Sequence, residues 1–268
     1  MLYATPIDVD DVELCHFYHV MDVPGHGTVG GDWDLRGGER AYLGDIPLAG
    51  RRVLEIGPAS GFLTFHMESL GAEVVAVELG PDADWDIVPH QDLDLEAIAT
   101  GRRRIMKRLR NGFWWAHART GSTARVHYGD VYRLPDELGR FDVAVMAAVL
   151  LHTRNPLQII DGAARVSDRI VITERAFPEI DQSSPLARFY PPRGSTQWDT
   201  WWDFSPEFFV RYLEVLGFDD IVLSHHTQRF VQHETEYAIP MFTVVAERTG
   251  GEDAAAVEQT VSVPATEG

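Results

Sequence analysis

The sequence predicts an α/β fold, a largely parallel sheet with helices on both faces. Three observations carry the prediction. Apolar, β-branched runs alternate with helical patterns from Arg51 to Phe177, the mark of a parallel sheet. The first run, Val53-Leu54-Glu55-Ile56, breaks into a turn bounded by Gly57 and Gly61, and an amphipathic segment follows. The second run ends on Glu78, 21 positions after Gly57.

Residues 1–45 show no strong period and are dense in His, Trp, Tyr and Gly, including His16, Tyr18, His19, His26, Trp33 and Arg36. They are expected to form an N-terminal cap over one edge of the sheet. The strands that follow are Val53–Ile56, Glu73–Leu79, Arg125–Val131, Phe141–His152 and Arg169–Thr173. Helices are predicted over Gly61–Leu70, Leu93–His117 and Pro156–Val166, with Pro156 in a first turn and Gly71 past an end. A Pro- and Ser-rich connection, about 178–204, holds Phe189, Tyr190, Trp198, Trp201 and Trp202. Connections this long act as lids or binding loops, or pack down as an aromatic satellite core. Ser205-Pro206-Glu207 opens a further helix that stops at Gly217, and two last strands lie near Ile221–Leu223 and Met241–Ala246. The main domain thus spans 46–249, and residues 250–268, rich in Gly, Ala, Thr and acids, read as a disordered tail.

A turn at the carboxyl end of a parallel strand is where nucleotide-like ligands sit. A dinucleotide site asks for G-x-G-x-x-G. Here Ala59 and Phe62 replace the second and third glycines, and Pro58 lacks a backbone donor. Glu55 repels phosphate and attracts an ammonium, which points to a cationic nucleoside; a dehydrogenase is the alternative. Glu78 suits both ribose hydroxyls, and Asp130 an exocyclic amine of adenine. Ala147 and Ala148 leave space across the fourth strand tip.

With 45% apolar residues, the 268-residue chain can bury a sizeable core. One cysteine, Cys15, excludes a disulfide framework and a thiolate metal site. The lack of a leader or a membrane-length apolar run points to the cytoplasm. A net charge of −18 opposes binding to nucleic acid or anionic membrane. The exception is Arg102-Arg103-Arg104-Ile105-Met106-Lys107-Arg108-Leu109-Arg110, read as an amphipathic helix with a solvated basic face.

Taken in order, these motifs resemble those of the class I S-adenosylmethionine-dependent methyltransferases, from about Arg51 to Glu247. The resemblance implies a Rossmann-like, seven-stranded mixed sheet whose last strand is antiparallel. It also implies S-adenosylmethionine as cofactor, held by Glu55, Gly57, Pro58, Ala59 and Gly61 around the methionine part. Glu78 and Leu79 then serve the ribose, Asp130 and Val131 the adenine, with Ala147 alongside. Within this superfamily, Leu150–Leu157, Trp33–Arg36 and Ser205–Phe218 are similar to segments of bacterial tRNA wobble-uridine carboxymethyltransferases, which use carboxy-S-adenosylmethionine. Leu151 stands where that branch has tyrosine, its basic N-terminal extension is missing, and its late Lys-Arg strand becomes Thr243-Val244-Val245-Ala246. The chain thus reads as a cousin that uses ordinary S-adenosylmethionine.

Methyl transfer needs an in-line nucleophile, and a base only where the acceptor carries a proton. His152, after the fourth strand, is the first candidate base; its alternative role is bonding the following turn. His19 and His26 of the cap come next. Trp33, Arg36, Glu174, Tyr190 and Trp198 are candidate acceptor contacts. His225 and His226 point to opposite faces of a strand, and with His233 make no metal site. The predicted activity is methylation of an O or N atom of a small molecule, a natural product or a sugar. A tRNA-modifying enzyme and a non-catalytic cofactor-binding protein are the alternatives. The expected partner is the small acceptor, with a homodimer left open.

Overall fold

Consecutive apolar side chains at the centres of 52–56, 73–79, 143–147 and 169–175 give strands buried on both faces, as central parallel strands require. The computed structural model describes residues 1–232 and 235–250. The N-terminal segment carries β1 (Met21–Val23), β2 (Gly27–Val29), β3 (Trp33–Asp34) and a one-turn α1 (Glu39–Tyr42). The alternating region follows as β4 (Arg52–Ile56), α2 (Phe62–Ser69), β5 (Glu73–Leu79), α3 (Leu95–Thr120), β6 (Arg125–Gly129), β7 (Val143–Ala147), α4 (Pro156–Val166) and β8 (Arg169–Arg175). The chain ends with β9 (Ala187–Phe189), β10 (Trp202–Phe204), α5 (Pro206–Val215), β11 (Asp220–Gln232) and β12 (Thr235–Glu247).

The main sheet runs β3-β11-β12-β8-β7-β4-β5-β6. Neighbours from β6 to β8 are parallel, and β12 is antiparallel to both β8 and β11. The last strand is therefore the reversed one, as the resemblance implies. The sheet has eight strands rather than seven, because Trp33 and Asp34 pair with Phe230 and Arg229 at its edge. The final two strands are 13 residues each, far longer than their apolar centres. Pro240 falls just before Met241, where pairing with β8 begins, so its missing N–H is not required there.

Alternation along the strands splits the core in two. Val53, Val143, Val145 and Val171 face α2, α3 and the N-terminal segment. Leu54, Ile56, Met146 and Ile172 face α4 and α5. Asp94 caps α3 by accepting from the Ala97 N–H (3.0 Å), and Gly121 in a left-handed conformation ends it. These signals place the helix two to three residues later than the apolar period alone does. Strand order reverses at β4, since β5 and β6 lie on one side and β7 and β8 on the other. That reversal opens a crevice at the carboxyl ends of β4 and β7.

His233 and residues 251–268, which hold nearly all of the expected tail, lie outside the described residues. Among the described residues no helix is long and apolar enough to cross a membrane.

Candidate functional site

The turn after β4 is built on left-handed backbone. Gly57 has φ +78° and Ala59 φ +52°, and Gly61, at φ +92°, precedes α2. A Cβ on Gly57 would stand 2.9 Å from Val149 Cγ2, so the close approach of the β4 and β7 tips requires glycine. A Cβ on Gly61 would meet the Phe65 ring at 2.5 Å. Across the crevice Ala148 also has φ +52°. Left-handed alanines cost about 1–2 kcal/mol each, and their concentration at one place marks a site that the surrounding structure over-determines.

Gly57, Ala59, Glu78, Leu79, Asp130, Val131, Ala147 and His152 all line the crevice. It has two lobes. The outer, of about 380 Å³, lies between Leu79, Trp85, Asp130 and Tyr132. The inner, of about 100 Å³, is enclosed by Tyr18, His19, Trp33 and Tyr42 of the N-terminal segment and by Arg102 of α3. Glu78 accepts from the Leu79 N–H (2.7 Å), and burial pushes its carboxyl up, a shift that the N–H bonds and Arg110 oppose. Exposed Asp130 accepts from the Tyr132 N–H (2.9 Å).

Three expected cofactor contacts sit behind the turn instead. Glu55 projects from β4 to Thr64, whose hydroxyl it accepts, and burial pushes its carboxyl up to about 7. It is 2% exposed, so it braces the turn against α2 rather than facing a ligand. Pro58 is buried and its carbonyl accepts from the Gly61 N–H (2.8 Å), which leaves both residues off the lining.

His152 ends the turn after β7. Its Nδ1 lies 2.5 Å from the Asp199 carbonyl, an oxygen that can only accept, so Nδ1 carries the proton and Nε2 holds the free lone pair. Burial holds the ring's pKa below the usual 6.5. Glu174 holds this turn in place: its Oε1 accepts from the Leu150 N–H (2.9 Å) and the Leu151 N–H (3.4 Å). Only 1% exposed and with Oε2 unpartnered, Glu174 is not an acceptor contact but a support beneath the site, and burial pushes its carboxyl up to about 8.

The other candidates divide. His19 is in the inner lobe, neutral because burial pulls it down to about 4. Trp33 shares that lobe. His26 lies on the exposed β1–β2 turn, where Arg119 Nε donates to its Nε2 (3.0 Å), so it is not a base at this site. Arg36 is committed to Asp34 (2.8 Å) and Asp22 (3.0 Å) and lines a separate surface cavity of about 560 Å³. Tyr190 packs on Phe177 at 5.8 Å and is absent from the lining. Trp198 is likewise absent from the lining, its ring 6.0 Å from the Arg102 guanidinium and its carbonyl accepting from the Val88 N–H (2.8 Å).

The 178–204 connection is pinned down rather than free. Trp201 Nε1 donates to the Asp86 carbonyl (2.7 Å) and Trp202 Nε1 to the Thr153 carbonyl (2.9 Å). Asp86 in turn accepts from Tyr132 and from the Arg154 N–H. Among the described residues no group of three or more His, Cys, Asp or Glu is placed to hold a metal. His225 is exposed, whereas the half-buried His226 bonds Thr243 Oγ1 (2.9 Å).

Sequence reasoning missed Tyr18, Tyr42, Trp85, Val149 and Arg102 as lining residues. For Arg102 the signal was present. It falls four, seven and eleven positions before Met106, Leu109 and Phe113, on the buried stripe of α3 and not on its solvated face.

No protein-family model matches the chain. A tRNA U34 carboxymethyltransferase of Trichlorobacter lovleyi is 27% identical over 197 residues, which is 71% of this chain and 52% of that protein. The chain thus spans about half the length of the curated relative it matches. Among solved structures, the N-terminal domain of EvdMO1, crystallised in the presence of SAH (S-adenosylhomocysteine) and D-fucose, superposes with a TM-score of 0.53 at 21% identity, covering 88% of this chain and 93% of that one. With the strand order, the reversed last strand and the crevice at the β4–β7 reversal, the fold of this chain is the Rossmann-like fold of the S-adenosylmethionine-dependent methyltransferases.

Proposed function

We propose that the chain is an S-adenosylmethionine-dependent methyltransferase acting on an O or N atom of a small molecule. The observation that carries this reading is the convergence of the Gly57 turn, Glu78 and His152 on one crevice. The lining residues fit the cofactor. Gly57 and Ala59 offer backbone without bulk, Glu78 offers carboxylate oxygens to ribose hydroxyls, and Leu79, Asp130 and Val131 flank an adenine. A dinucleotide fits poorly, because Glu78, Asp84, Asp86 and Asp130 line the outer lobe and repel a pyrophosphate.

When bound, S-adenosylmethionine supplies an electrophilic methyl on a sulfonium. The chain's own residues do the rest. Tyr18, Trp33 and Tyr42 present aromatic rings, which favour a neighbouring cation. The pinned 178–204 connection holds the His152 ring through the Asp199 carbonyl. His152, with Nδ1–H fixed on Asp199, takes a proton at Nε2 from an acceptor hydroxyl or ammonium. A lobe of about 100 Å³ suits a small acceptor or one end of a larger one.

A second reading, tRNA wobble-uridine modification, has the Trichlorobacter relative in its favour. The net charge of −18 and the acids at the outer lobe oppose it.

Titration calorimetry with S-adenosylhomocysteine tests the cofactor assignment. The wild-type chain should bind, and Glu78→Ala should weaken binding by about 1.5–3 kcal/mol, the worth of a charge-assisted hydrogen bond. No binding to the wild-type chain refutes the methyltransferase reading; an unchanged Glu78→Ala moves the ribose elsewhere.

A further inference from the structure

Arg102 is a cation at the crevice that makes no ion pair among the described residues. It shares the inward stripe of α3 with Met106 and Leu109, which are 3% and 7% exposed, and all three line the inner lobe. Its guanidinium carbon stands 3.8 Å from the centroid of the Trp85 ring. Its Nε is buried and makes no hydrogen bond among the described residues. The carboxylates that act on it through space are Asp199 and Glu78. Both are engaged elsewhere: Asp199 accepts from Gln197 and Thr200, and Glu78 from the Leu79 N–H. Its sequence neighbour Arg103 instead turns outward to Asp84.

Folded proteins pair a charge that they withdraw from water, because an unpaired one is strongly unfavourable. An indole face compensates part of the loss but offers no acceptor for the N–H groups. The planar guanidinium fork matches a carboxylate with two parallel hydrogen bonds, and a stacked aromatic ring fixes the plane of that fork.

We infer that Arg102, stacked on Trp85, is the receptor for a carboxylate of a molecule bound in the crevice. The methyltransferase reading, on which the identity of the source rests, offers two: the methionine carboxylate of the cofactor, or a carboxylate on the acceptor. Trp85 also contacts the His152 ring at 5.4 Å, so an anion on Arg102 lies one ring away from the proposed base.

Calorimetry on the full chain, on Arg102→Gln and on Arg102→Lys separates the sources with three probes. These are S-adenosylhomocysteine, 5′-methylthioadenosine, which lacks the aminocarboxyl arm, and benzoate added to nucleoside-saturated protein. If the cofactor is the source, Arg102→Gln weakens S-adenosylhomocysteine about tenfold or more, leaves methylthioadenosine unchanged, and Arg102→Lys recovers part of the loss. If the acceptor is the source, both nucleosides bind as before, and benzoate binds the wild-type chain but not Arg102→Gln. Equal affinity of the wild-type chain and Arg102→Gln for all three probes overturns the inference. So does an equal loss of both nucleosides, which marks Arg102 as mere packing. Should neither nucleoside bind the wild-type chain, the methyltransferase reading fails. Benzoate titrated into the free wild-type and Arg102→Gln chains then still decides the role of Arg102: a difference between them supports it and none overturns it.

Discussion

Gly57→Ala is the sharpest perturbation of the strand-tip turn, and its cost has two separable parts. At φ +78° an alanine is left-handed, which costs about 1–2 kcal/mol. The new Cβ would also stand 2.9 Å from Val149 Cγ2 and 3.3 Å from Val149 Cβ. Carbon pairs prefer about 3.5–4.0 Å, so one side must give, at about 1–3 kcal/mol for overpacking. Val149→Ala alone removes half-buried methyl groups and costs about 1 kcal/mol, yet in the Gly57→Ala background it removes the closest contact, the one at Cγ2. The two changes should therefore couple by about 1–2 kcal/mol in the favourable direction, while the backbone strain persists in the double variant. Urea unfolding of the four chains, followed by circular dichroism, measures the cycle. Additivity within about 0.5 kcal/mol would mean that the Gly57 turn does not pack on the tip of β7, and the crevice would have a different wall.

Two more expectations concern protons. His152→Ala should lower turnover on a hydroxyl or ammonium acceptor by about 10²–10⁴-fold while S-adenosylhomocysteine affinity changes little. Because burial lowers the His152 pKa, wild-type turnover should hold as pH falls to 6.5 and be lost only below it, where Nε2 is protonated; unchanged turnover of the variant removes His152 as base. Burial pushes the Glu174 carboxyl up to about 8, from an ordinary value of 4.5. A raised carboxyl means that the native state keeps a proton the unfolded chain has released, so its stability contribution is complete below 4.5 and declines as pH rises to 8. The slope from this group approaches about 1.4 kcal/mol per pH unit at most. Glu174→Gln should flatten the stability profile across that window, as read by urea midpoints at several pH values, and an identical profile would place the titration elsewhere.

The fold was legible because its causes are local. Strands buried on both faces must be apolar throughout, a parallel sheet must alternate with helices, and a ligand turn at a strand tip must carry glycine. Those demands are written at Val53–Gly61, at Glu73–Glu78 and at Ala147. The roles of the acids were less legible. Glu55 and Glu78 end similar runs, yet Glu55 lies under the turn against Thr64 while Glu78 reaches the crevice. Strand alternation assigns each side chain to a face, but only the packed helices show which face is open. Arg36 looked like an acceptor contact and His26 like a base until Asp34 and Asp22 claimed the one and Arg119 the other, and the Arg119 partnership is set by long-range folding.

By itself, then, the sequence determined the parallel strands, their helices, the glycine turn and the order of the strand-tip residues, because backbone sterics and hydrophobic period act over a few neighbouring positions. Tertiary structure alone decided that Tyr18, Trp33 and Tyr42 enclose the inner lobe, that Asp199 fixes the His152 tautomer, and that Arg102 stands beside Trp85 with its Nε unbonded among the described residues. Each of these joins segments distant in the chain, and burial and charge pairing between such segments exist only once the layers have packed.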